Sequence, residues 1–251
     1  MNLKRHIPNA LTCCNLLCGC VAIVHAFEGN LVYAAYLVGL AAVFDFFDGF
    51  AARMLRVASP IGKDLDSLAD MVTFGLVPGI IMFQLFLQVI EMREGRYSDR
   101  SWASDHMHYM AYTAFIIPVL SAIRLAKFNN DTRQTSSFIG LPTPANAILI
   151  SSFPLILVHT NWTTIQDVIQ NPWFLVFISV LLSTLLISEI PLFALKFRTF
   201  SWLGNRTRYI FLASSLLLLC LFQYVGIPLI IVLYILMSIN SNYFAKRKER
   251  G

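Results

Sequence analysis

The sequence predicts an all-α, polytopic membrane protein of about eight transmembrane helices with both termini in the cytoplasm. Three observations lead there. The chain is 57% hydrophobic and only 13% charged, whereas soluble domains carry about 25% charged residues. Apolar runs recur at the length of about 20 residues that a helix needs to cross the hydrocarbon core. Lys and Arg fall between those runs with a strong bias towards alternate loops. Residues 1–251 are taken as one transmembrane domain.

The first run, Ile7 to Phe27, is too long for a signal-peptide core and lacks a small-residue cleavage site, so it reads as the first membrane helix. The spans run at about 7–28, 31–53, 63–90, 108–127, 142–159, 173–195, 209–224 and 227–244. Only the turn around Gly226 and Pro228 separates the last two. With eight spans, Lys4, Arg5, Arg53, Arg56, Lys63, Arg124, Lys127 and Arg133 fall on the side of the termini. So do Lys196, Arg198, Arg206, Arg208, Lys246, Arg247, Lys248 and Arg250. The opposite side keeps Arg93, Arg96 and Arg100 in one loop. The positive-inside rule then puts both termini in the cytoplasm. The net charge of +5 follows this topological pattern, which argues against a nucleic-acid partner. Cys13, Cys14, Cys18 and Cys20 sit inside the first run, and Cys220 in another, where free cysteine acts as a small apolar packing residue.

Against this background, Asp45, Asp48, Asp66 and Asp70 stand out, because an ionised carboxylate in a membrane helix is costly and marks a functional site. Asp45 lies about 21 Å along the axis from Leu31 at 1.5 Å per residue, below the cytoplasmic headgroups. Asp45 and Asp48 share one helix face, as do Asp66 and Asp70, and the short 54–62 loop turns one pair towards the other. The helix dipole favours acidic residues in a first turn, which accounts for Asp64 but not for Asp45 and Asp48 near a helix end. Four hard oxygen ligands in one volume suit two Mg²⁺ or Mn²⁺ ions and phosphoryl chemistry. Gly49 and Ala52 clear space for a ligand, Arg53 can offer a planar fork to phosphate, and Ser59 and Gly62 lie in the loop over the site.

The spacing D-x2-D-G-x2-A-R-x8-G-x3-D-x3-D is met by Asp45, Asp48, Gly49, Ala52, Arg53, Gly62, Asp66 and Asp70. It resembles the signature of the CDP-alcohol phosphotransferases, without departures. Three more stretches resemble the serine-accepting, membrane-embedded branch: "IPNALTCCNLLCG" (7–19), "LDSLADMVTFGLVPG" (65–79), and "IRLAKFN" (123–129) with "FIGLPTPA" (138–145). The resemblance covers 7–145 well, and 146–251 mainly as apolar spans. It implies transfer of the phosphatidyl group of CDP-diacylglycerol to the hydroxyl of L-serine, with phosphatidylserine and CMP as products. Asp45, Asp48 and Asp66 would hold two metal ions, with Asp70 also near a metal and acting as general base. Gly49, Ala52, Arg53, Ser59 and Gly62, with Asn9 and Thr12, would contact the lipid donor. The resemblance also implies a homodimer in the cytoplasmic membrane with its active site facing the cytoplasm.

The acceptor side is the 123–145 segment, where Arg124 and Lys127 are candidates for the serine carboxylate; positive-inside anchoring suits Lys127 equally well and Arg124 less. Asn9, Thr12 and Asn15 can touch the nucleotide, cap the first helix or pair with neighbours. The nearest alternative is the same chemistry with glycerol 3-phosphate or an inositol acceptor. A cation-coupled transporter is more remote, since its carboxylates would sit near the midplane between repeats, and no second copy of the motif occurs. His106 and His108, in or beside the loop 91–107, are a weak metal pair, the tail "AKRKERG" reads as a solvated anchor, and Glu189 has no assigned role.

Overall fold

The computed structural model describes residues 6–57, 59–94, 108–130, 137–193 and 202–249. The chain is almost wholly helical. Helices α1 (His6–Phe27) and α2 (Leu31–Leu55) form a hairpin. Helix α3 (Pro60–Asp70) passes through a π-helical turn, Met71–Leu76, into α4 (Val77–Glu94). A 3-10 turn, Tyr112–Phe115, leads into α5 (Ile116–Asn130), followed by strand β1 (Ser137–Ile139). Then come α6 (Thr143–His159), the short α7 (Thr163–Ile169), α8 (Pro172–Ile187), strand β2 (Pro191–Phe193), α9 (Trp202–Phe222) and α10 (Gly226–Glu249). Lys4, Arg5, Arg96, Arg100, His106, Arg133, Lys196, Arg198 and Arg250, used above for topology or as a metal pair, lie outside the described residues.

The core is the long third helical unit. In its most apolar stretch, within Pro60–Met92, 72% of residues are buried, against 6% in Asn205–Ser241. Phe74, Ile81, Met82, Leu85 and Phe86 are all nearly or fully buried along it. Lipid tails are as apolar as leucine, so helices in a bilayer associate through close packing of small residues rather than through hydrophobic burial. The α1–α2 hairpin follows that rule. Ala22, Ala26, Ala34 and Ala41 are fully buried. Gly19 lets α1 close on the π turn, because a Cβ there would overlap the Thr73 side chain.

By length and apolarity, five described helices qualify as spans, or six if α7 and α8, bent by 70°, count as one. Eight were expected, and the difference has three sources. Helix α6 has only 17 residues. Helix α8 ends at Ile187 rather than near 195, because the chain turns extended at Ser188 (ψ 151°) ahead of Pro191, a proline that disfavours helical backbone before it. The last two expected spans run together as one helical stretch, Asn205–Ser241. That stretch nonetheless folds back on itself. The rings of Phe211 and Tyr234 are 5.6 Å apart, although a straight helix would separate the two residues by about 35 Å. The reversal lies at Gln223–Val225, where Gln223 has φ 49°.

Strands β1 and β2 pair antiparallel, with Phe138 opposite Leu192. Gly140, at φ +76°, starts the return to α6. The Leu141 N–H donates to the Leu185 carbonyl at 2.9 Å, which ties the start of α6 to the end of α8.

Candidate active site

Three segments build the site: the N-terminal half of α1, the C-terminal half of α2, and α3. Asp45 and Asp48 come from α2, Asp66 and Asp70 from α3. Oxygens of Asp45, Asp48 and Asp66 lie within 4.8 Å of one another. Asp48 is buried, at 6% exposure. Asp70 stands beside this trio, within hydrogen-bonding reach of Asp45. Ser59 starts α3 as its N-cap, its hydroxyl accepting from the Gly62 N–H at 3.0 Å, with Pro60 in the first turn.

Helix α1 holds the carboxylates in place. The Thr12 hydroxyl lies 2.7 Å from Asp48 Oδ2 and 3.1 Å from the Pro8 carbonyl. One hydroxyl carries one proton, and the shorter contact to the carboxylate is the stronger use of it. One turn on, the Asn15 amide donates to Asp70 Oδ1 at 3.3 Å, and the Asn15 carbonyl accepts from Thr73 Oγ1 at 3.2 Å. Thr12 and Asn15 thus meet aspartates. Asn15 had been read as a nucleotide contact, a capping group or a partner of neighbouring groups, and the last of these is what the structure shows. Its spacing from Asn9 and Thr12 along one helix face was the signal available.

A cavity of about 230 Å³ opens beside the carboxylates. Asn9, Thr12, Asp48, Gly49, Ala52, Ser59, Gly62 and Asp66 line it, as does Lys63, which sequence reasoning had used only for topology. Arg53 is exposed, with Nη2 3.9 Å from where a Gly49 Cβ would stand, so its guanidinium reaches back along α2. Lys63 Nζ donates to the Asn129 carbonyl at 3.1 Å. Ser67 accepts from the Asn129 amide at 2.8 Å, so "LDSLAD" and "IRLAKFN" are locked together. Arg124 is buried, stacks over Phe128 at 5.5 Å, and lies near Asp70 and Tyr234. Lys127 is exposed.

The donor set fits a hard divalent cation. Several carboxylates converge in a half-buried volume, with Arg124 beside Asp70 and Lys63 on the cavity that Asp48 and Asp66 line, and such a set is stable when oxygen-seeking ions balance it. Among the described residues no cysteine belongs to this cluster, and all five cysteines are free.

A cluster of membrane-embedded aspartates beside a polar cleft defines a class, and sequence comparison agrees on which. Residues 5–187 match the family of CDP-alcohol phosphatidyltransferases, and the chain belongs to that family: it is a transferase of phospholipid synthesis with membrane helices. The chain is 32% identical over 185 residues to the CDP-diacylglycerol–serine O-phosphatidyltransferase of Helicobacter pylori, covering 73% of this chain and 70% of that one. It is 31% identical over 140 residues to the enzyme of that name from Bacillus subtilis, covering 56% and 70%. It is 32% identical over 151 residues to an archaetidylserine synthase of Methanothermobacter thermautotrophicus, covering 59% and 58%.

Proposed function

We propose that the protein transfers the phosphatidyl group of CDP-diacylglycerol to the hydroxyl of L-serine, giving phosphatidylserine and CMP. The observation that carries this is the convergence of Asp45, Asp48 and Asp66 within 4.8 Å, with Asp70 alongside and a cavity next to them. The relatives support the acceptor, because serine is in both of their names even where the lipid differs.

Asp45, Asp48 and Asp66 would hold Mg²⁺ or Mn²⁺ as a pair of ions, with Asp70 at the edge of the pair. Ions held there would neutralise the diphosphate and the departing CMP. The chain's own residues do the rest. The cavity under Gly49, Ala52, Ser59 and Gly62 receives the nucleotide, Arg53 reaches its phosphates, and Arg124 faces the serine carboxylate. Asp70 takes the proton from the serine hydroxyl. The serine oxygen bonds to the phosphorus that carries diacylglycerol, the diphosphate P–O bond breaks, and CMP leaves with its electron pair. The Asn15 amide on Asp70 Oδ1 orients that carboxylate and leaves its other oxygen for the proton.

The setting agrees with the chemistry, since acyl chains must stay in lipid while serine and CMP come from water. Eight crossings, both termini in the cytoplasm, an active site facing it, and a homodimer in the cytoplasmic membrane complete the reading.

The test is CMP release from CDP-diacylglycerol by purified protein with Mn²⁺ or Mg²⁺. Serine, glycerol 3-phosphate and inositol are supplied separately. Serine-dependent release is expected, falling about 10²–10⁴-fold in Asp70→Asn, the range for loss of a general base. Release with another acceptor would keep the mechanism and overturn serine. Folded protein with no release under any acceptor would favour the transporter.

A further inference from the structure

Outside the aspartate cluster, the most concentrated chemistry is a group of buried polar side chains on α5, α6 and α8, of which only Arg124 has so far been given a role. Ser121 and Arg124 come from α5, Thr143 and Asn146 from α6, and Ser179 and Ser183 from α8. All but Arg124 are 0% exposed, and Arg124 is 7% exposed. Each keeps a buried polar atom without a hydrogen-bond partner: Arg124 Nε, Thr143 Oγ1, the three serine hydroxyls, and both Asn146 amide atoms. Most buried polar groups in proteins are paired, and hydrocarbon offers no water to do it. Several orphans together, drawn from three helices, fit a small polar ligand better than they fit a core.

Their position is as informative as their chemistry. Arg124 lies near Asp70. The Ser121 Cβ is 3.2 Å from where a Gly75 Cβ would stand, in the π turn that follows Asp70. Helix α6, which starts at Thr143 and carries Asn146 in its first turn, packs on α2 and on that π turn. None of these six residues lines the nucleotide cavity, which is built from α1, α2, α3 and the segment before α3. An acceptor in line with the leaving group has to reach Asp70 from outside that cavity, and Arg124 is the buried cation beside Asp70 there.

We propose that Asn146 and Thr143, with Arg124, form the seat of a zwitterionic amino-acid acceptor. The guanidinium takes the carboxylate. The Asn146 carboxamide oxygen and the Thr143 hydroxyl accept from the ammonium, and the Asn146 amide nitrogen donates to the carboxylate. The side-chain hydroxyl of the amino acid is then left towards Asp70. This seat rests on the reading of serine as acceptor, and it makes Asn146 a residue that selects for the α-amino-acid head.

The experiment is steady-state CMP release by the full-length protein, varying serine and CDP-diacylglycerol separately, for wild type, Asn146→Ala, Asn146→Asp, Thr143→Val and Thr143→Ser. Asn146→Ala is expected to raise the serine KM about 10- to 100-fold, with the CDP-diacylglycerol KM within about twofold. Thr143→Val should raise the serine KM about tenfold, and Thr143→Ser, which keeps the hydroxyl, should restore it. Asn146→Asp keeps the acceptor, loses the donor and places a charge beside the carboxylate, so serine binding should fall further. Serine KM values within twofold of wild type in Asn146→Ala or Thr143→Val would overturn the seat while leaving serine as the acceptor. So would equal rises in both KM values, the mark of a structural role. Should Asn146→Ala fail to fold, the Thr143 pair decides the question alone. A wild type that ignores serine but uses another acceptor would remove the seat together with the acceptor reading.

Discussion

The two glycines of the aspartate motif look alike in sequence and differ in space. A Cβ on Gly49 would meet only Arg53 Nη2, at 3.9 Å, and Gly49 lines the cavity. A Cβ on Gly62 would come within 3.0 Å of both Asn9 Oδ1 and Ser59 Oγ, tighter than an ordinary contact, so α1 or the α3 cap must shift. Gly49→Ala should therefore leave the thermal midpoint within about 1 °C, yet raise the CDP-diacylglycerol KM about tenfold by filling donor space. Gly62→Ala should lower the midpoint by several degrees, consistent with roughly 1–2 kcal/mol of local strain. Detergent-solubilised unfolding and CMP-release kinetics on the same samples separate the two, and a matching pair of midpoints would refute the distinction. At this scale the four aspartates were legible because a charge in an apolar run is conspicuous. The partners were less so: Thr12 meets Asp48 and Asn15 meets Asp70 across long stretches of chain, and nothing in their neighbourhood announces it. Asn146 and Thr143 were hidden for the same reason, at the start of a mainly apolar helix.

At the scale of elements, the π turn at Met71–Leu76 matters most. Such turns insert a residue into a helix and cluster at functional sites. Here the turn joins α3, which carries Asp66 and Asp70, to α4, the buried axis of the molecule, and so it sets the angle between them. Hydropathy reads this unit as one span, since a π turn leaves no compositional trace. The two three-residue strands were equally illegible: they are too short for alternation to show. Yet they fix the start of α6 against the end of α8, through Gly140. At φ +76° only glycine is unstrained, and a Cβ there would stand 2.5 Å from the Leu186 carbonyl oxygen and 2.9 Å from that of Ser188. Gly140→Ala should cost about 2 kcal/mol or more, strain and displacement together, and lower the thermal midpoint by several degrees. Because Gly140 anchors the start of α6, the serine KM should rise more than the CDP-diacylglycerol KM. A variant with an unchanged midpoint would mean that the turn relaxes freely.

For the whole molecule, the contacts sort to two ends, and this sorting bears on the proposed topology. At one end Tyr36 meets Tyr224 at 3.0 Å, His159 lies 4.8 Å from Tyr224, Trp162 lies 5.8 Å from Phe222, and Gln88 donates to the Gly29 carbonyl at 3.3 Å. At the other end are the aspartates, the Lys63–Asn129 bond, the β1–β2 pair and the Phe193–Tyr234 hydrogen bond of 2.9 Å. The first end holds Gly29 and Trp162, from segments expected to be outer loops, and the second holds Asn129 and Ser137–Ile139, from a segment expected to be an inner loop. A seven-crossing chain with 205–241 as one rod would put residues 211 and 234 at opposite faces, against their 5.6 Å ring contact. The expected outcome is specific. In a background with the five free cysteines replaced, single cysteines at Glu28, Asn171 and Tyr224 should react with a membrane-impermeant maleimide in right-side-out vesicles. Cysteines at Arg56 and Asn130 should react only in inverted or opened vesicles. If Tyr224 labels with Arg56 while Glu28 and Asn171 label from outside, the last hairpin does not cross twice and the eight-crossing reading fails. If Arg56 labels from outside, the aspartates face the wrong compartment for CMP and serine, and the positive-inside argument fails with them.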